Sequence, residues 1–173
     1  MGKYDKSVDK NSPEYCDKKI AGGRSMLLMV LVFTLVNLAL LLLDTGTYFL
    51  FSIWIPYNMT GIAMVMDDFT IGTFTVAALV ISAVILLIYF IAWLLSKKHT
   101  GWLTAALILF SLDTVAMIVL SLVLFEEPFS EIVDLVFHIW ALVILIQGVR
   151  YAGKRKKLEN PARPYFGTDP ELF

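Results

Sequence analysis

Glu131, Asp134 and His138 recur at i, i+3 and i+7, which puts two carboxyls and an imidazole on one stripe of a helix. Asp134 and His138 alone, at i and i+4, have a spacing that chelates a metal ion. A third ligand from Glu131, Asp113 or Asp44 would complete a zinc-type centre. The cofactor expectation is therefore a divalent metal held by Glu131, Asp134 and His138. The competing role for His138 is a plain interhelical hydrogen bond. Asp113 is the second unusual group. It lies twelve residues from both Gly101 and Phe125, so on a helix it sits about 18 Å from either end. A charged carboxylate at that depth in a bilayer costs about 2.5–3.5 kcal/mol, so it must face other helices, pair or be protonated. Either it ionises as part of a function, or it is a neutral hydrogen-bonding strut.

Thr34, Asn37 and Asp44, at i, i+3 and i+10, share another face. The expected polar site gathers Asn37, Asp44, Asp113, Glu131, Asp134 and His138 into a vestibule open to the outside. His138 lies about 14 Å below Phe129, within a turn of Asp113 in depth. The two should meet across adjacent helices.

The elements that must position these groups are long apolar runs. Hydrophobic residues make up 58% of the chain, above the roughly 45–50% of soluble domains. Four segments reach the length of about 20 residues that a bilayer core requires: 25–43, 73–95, 102–125 and 129–149. The fold class expected is all-α, a four-helix transmembrane up-down bundle with both termini inside. Residues 1–24 form a leader, 25–149 the membrane domain and 150–173 a basic, then proline-containing tail. The first run reads as a retained anchor, since no small-residue cleavage site follows it.

All 14 basic residues fit one side. Six precede the first run, Lys97 and Lys98 lie between the second and third, and six follow the fourth. Basic flanks stay cytoplasmic, so both termini are expected there, in a plasma or bacterial inner membrane. Eight acids, from Asp44 to Asp134, fall in the membrane or on the other side with no base among them. Such an excess concentrates cations or protons.

Residues 48–66, within the outer loop 44–72, are uncharged and long enough for a fifth span. Counting them so would separate the basic groups onto opposite sides. Pro56, Asn58 and Gly61 also interrupt them, so an interfacial or re-entrant helix is expected, anchored by Tyr48, Trp54 and Tyr57 at headgroup level. Tyr89, Trp93, Trp102 and Tyr151 should mark the inner interface. Cys16 is the single cysteine and excludes an intrachain disulfide.

No nucleophile elbow, phosphate loop, dinucleotide fingerprint or arginine ladder is present, which argues against most enzymes and a voltage sensor. The function expected is binding or passing a cation or proton, alone or as a subunit of a transporter-like assembly. The alternatives are an accessory protein with structural polar residues and a metal-dependent membrane enzyme. Partners are the lipid bilayer and a membrane protein or second copy, for which the small face Thr75, Ala78 and Ser82 is one candidate; packing within the bundle accounts for that face equally well. Nucleic acid is not expected.

Overall fold

The computed structural model describes residue 10 and residues 12–124 and 132–159. Among these, all regular structure is helical: α1 (Pro13–Leu42), α2 (Trp54–Met66), α3 (Thr73–Leu95), α4 (Gly101–Leu124) and α5 (Ile132–Glu159). Four of them, α1, α3, α4 and α5, are long and apolar enough to cross a membrane. The chain is a multi-pass helical membrane protein. Val80, Leu87, Leu112 and Val136 lie more than half exposed on the outside of the bundle, where lipid rather than water would cover them. Residues 125–131, Glu131 among them, and the tail beyond 159 lie outside the described residues.

Two helices overrun the apolar runs. α1 begins at Pro13, twelve residues before Ser25, because its start is set by a cap and not by lipid. Ser12 Oγ accepts from the Tyr15 N–H at 3.2 Å, Pro13 occupies the first turn and Glu14 follows. α5 continues ten residues past Val149 through Lys154–Lys157. The extra turns of α1 and α5 pair with one another. Asp17 meets Arg155, the Lys10 carbonyl accepts from Lys154, and the Tyr15 and Tyr151 rings pack edge to face. Cys16, within the expected leader, is fully buried in this seam. Tyr89 is likewise buried among the helices.

α1 and α5 share the most extensive interface. It closes on two glycines: a Cβ added to Gly23 would lie 3.2 Å from the Gly148 Cα. Leu27, Leu103, Ala141 and Leu145, all fully buried, fill the space beside them.

One face of α2 is sunk into the bundle, while Ile62, Val65 and Met66 stay about half exposed. Ile53, Trp54, Pro56 and Thr60 are buried, and the helix packs on α3, α1 and α4. Its partner on α3 is the small face of Thr75, Ala78 and Ser82. Thr60 and Ser82 hydroxyls meet at 3.4 Å, and Ser82 also donates to the Pro56 carbonyl. That face is therefore filled from within the chain. Trp54, expected at headgroup level, is only 5% exposed.

Asp67 links α2 to α3. Its carboxylate accepts from the Thr75 N–H at 2.7 Å and the Phe74 N–H at 3.4 Å, which are orphan donors of the first turn of α3. The Thr75 bond, foremost, holds the Asp67 carboxyl below its ordinary value. A lowered folded pKa gives stability that is present above the unfolded value and lost as pH falls through the folded one. Melting temperatures should therefore drop as pH falls from about 5 to 3. Asp67→Asn should flatten that part of the profile. An unchanged slope in the variant would assign the acid sensitivity elsewhere.

Candidate functional site

The chain between α1 and α2 is irregular, with Phe51 at φ 72°, yet part of it runs deep in the bundle. Backbone groups there have no water, so side chains must serve them. Asn37 takes two: its amide donates to the Phe49 carbonyl at 2.6 Å and accepts the Phe49 N–H at 2.7 Å. Thr34 Oγ1 accepts the Ile53 N–H at 2.8 Å and donates to the Val30 carbonyl.

Asp113 takes two more. Its Oδ2 accepts the Trp54 N–H and its Oδ1 the Ile55 N–H, both at 2.9 Å. A helix leaves its first four N–H groups without intrahelical acceptors. In α2 these belong to Ile53, Trp54, Ile55 and Pro56. Thr34 serves the first, Asp113 the next two, and proline has none to serve. The amino end of α2 is thus fully capped by side chains of α1 and α4. The aligned N–H groups and the positive end of the helix dipole point at the Asp113 carboxyl.

His138 completes the arrangement. Asp113 and His138 are 2% and 3% exposed, and His138 Nε2 lies 3.5 Å from Asp113 Oδ2. That is ion-pair range but long for a hydrogen bond, and Nε2 has no hydrogen-bond partner. The ring stacks on Phe110 at 5.1 Å and 3°. Nδ1 sits 2.9 Å from the Asp134 main-chain carbonyl, which can only accept, so Nδ1 carries a proton. If Asp113 is ionised and His138 neutral, a nitrogen lone pair faces a carboxylate oxygen. One further proton, on Nε2 or on Oδ2, removes that conflict.

Beside it is a cavity of about 230 Å³ lined by Tyr48, Ser52, Trp54, Tyr57, Asn58, Asp134 and His138. The Tyr48 hydroxyl donates to Asp134 at 3.2 Å, and Tyr48 is nearly half exposed, which sets the mouth. Burial, and then the charge of Asp134, push the Tyr57 phenol up, so it stays a neutral donor.

Of the expected residues, Asp113, Asp134 and His138 come together. Asn37 is buried but engaged with Phe49. Asp44 is exposed in the turn after α1, at φ 50°, and takes no part in the cavity. Glu131 lies outside the described residues. Among the described residues no three His, Cys, Asp or Glu side chains gather as a metal centre needs. Sequence reasoning misses the cavity wall from α2 and the chain before it, because Tyr48, Trp54 and Tyr57 equally suit a headgroup layer. Pro56 just inside an apolar start is the available signal of a helix beginning at Trp54.

Compared with known proteins, the chain matches no family model, no curated protein and no solved structure.

Proposed function

We propose that the protein binds a cation or proton at an outward-facing acidic site and exchanges it through the Asp113–His138 pair, alone or as a subunit of a transporter-like assembly. The observation that carries this is the buried pair beside the cavity, with His138 Nε2 lacking any other partner. A buried polar atom left unserved is uncommon, and ionisable groups at membrane depth are functional candidates by default. The sidedness rests on the sequence: every basic residue belongs to one face by the positive-inside bias.

One observation favours a second reading. Both Asp113 oxygens already serve α2, so the carboxylate has a structural task in full. An accessory protein whose polar residues only fasten the bundle would need no more.

His138 separates the two, because it caps nothing. In proteoliposomes the wild type should dissipate an imposed pH gradient, and His138→Gln should slow this roughly 100-fold while leaving the protein folded. A wild type with no proton movement, or a His138→Gln variant as fast as wild type, would favour the accessory role.

A further inference from the structure

The cavity's lining narrows what it would hold. Resting on the cation-site reading above, we infer that the ligand is a small organic ammonium ion, seated against Tyr48, Trp54 and Tyr57 and neutralised by Asp134.

Charge comes first. With one shared proton, Asp113 and His138 are neutral as a pair. Among the described residues, the Asp134 carboxylate is then the single negative charge on the wall, which suits a monovalent cation. Hard divalent ions need six or more oxygen ligands in a closed shell. Here one carboxylate, one amide and three hydroxyls are spread around a wide space, and no metal-type cluster forms among the described residues.

The walls come second. Three of the seven lining residues are aromatic. An aromatic face attracts a cation through its quadrupole, Trp most strongly, and the attraction grows where water is excluded. Trp54 is buried and its backbone is fixed by Asp113. Tyr48 and Tyr57 stand side by side, centroids 5.7 Å apart and planes at 30°, next to the carboxylate. Aromatic faces with one acid are how quaternary ammonium groups are recognised. Size comes third: a space of about 230 Å³ lies below the range of about 300–1,000 Å³ for drug-sized ligands, so the guest is small. Ser52 and Asn58 offer hydrogen bonds to a short polar arm.

The test uses the intact protein in lipid nanodiscs at constant ionic strength. Tetramethylammonium chloride should raise the melting temperature through binding to the native state. Sodium chloride and tert-butanol, a neutral molecule of similar shape, should not. Tyr57→Leu should weaken the effect by about tenfold, and Tyr57→Phe, which keeps the aromatic face, should retain it. Asp134→Asn should remove most of it. Equal stabilisation by sodium, or tetramethylammonium binding that survives both Tyr57→Leu and Asp134→Asn, overturns the ammonium assignment. Proton movement in proteoliposomes without tetramethylammonium binding overturns it too, while the cation-or-proton reading stands. Absence of both overturns the two together.

Discussion

Asp113→Ala should destabilise the protein by about 3–5 kcal/mol, the range for breaking a buried charged pair from one side. Three losses combine. The Trp54 and Ile55 N–H groups lose their acceptor in a place water does not reach, at about 1–3 kcal/mol each. His138 loses the carboxylate facing Nε2. The amino end of α2 loses the carboxyl placed against its positive dipole end. Relaxation around a small residue would recover part of the total. Asp113→Asn should cost about 1–3 kcal/mol, since its amide has one acceptor oxygen where two N–H groups wait. Unfolding in detergent or nanodiscs measures both. A change under about 0.5 kcal/mol for Asp113→Ala would mean that the amino end of α2 finds other acceptors. One consequence is practical: Asp113→Asn cannot separate a structural from a proton-handling role, because it disturbs both.

Gly148→Leu should be almost as damaging, at about 3 kcal/mol, the upper end for overpacking a tight interior. A Cβ at this position already lies 3.1 Å from Leu103 Cδ2 and 3.2 Å from the Gly23 Cα. The Leu103 methyl can move. The α1 backbone can yield only by moving the whole helix, and with it Thr34 and Asn37, which hold the irregular chain ahead of α2. Close approach at small residues is how membrane helices gain contact when lipid gives no hydrophobic drive. Gly148→Ala should be milder, at about 1 kcal/mol. By contrast, Gly153→Ala, with open space around it, should not destabilise. Thermal or denaturant unfolding should rank Gly148→Leu as the most damaging, then Gly148→Ala, then Gly153→Ala. Indifference to Gly148→Leu would place the helix contact elsewhere.

The spans are legible in the sequence because lipid demands length and apolarity, and both can be counted. Where α1 begins is not, because Ser12 and Pro13 obey capping and not hydropathy. The Asp113–His138 encounter is legible from depth alone. The donors that Asp113 serves are not, since Trp54 is 59 positions away and no periodicity links the two. Asp44 shows a different failure. Its phase extrapolates along α1, but the helix stops at Leu42 and the chain turns. Tyr48, Trp54 and Tyr57 stand out in the sequence without declaring their place, because an aromatic residue suits both a headgroup layer and a binding wall.

The cap on α2 also fixes an order of events. Chains enter the membrane amino end first, at about 5–20 residues per second, so Asp113 is made roughly 3–12 s after Trp54. In that interval Trp54 and Ile55 have no carboxylate to meet, and lipid would refuse their bare N–H groups. α2 must wait at the water-facing surface until α4 has crossed. The capped end of α2 is therefore completed backwards, an early segment folding in behind a later one.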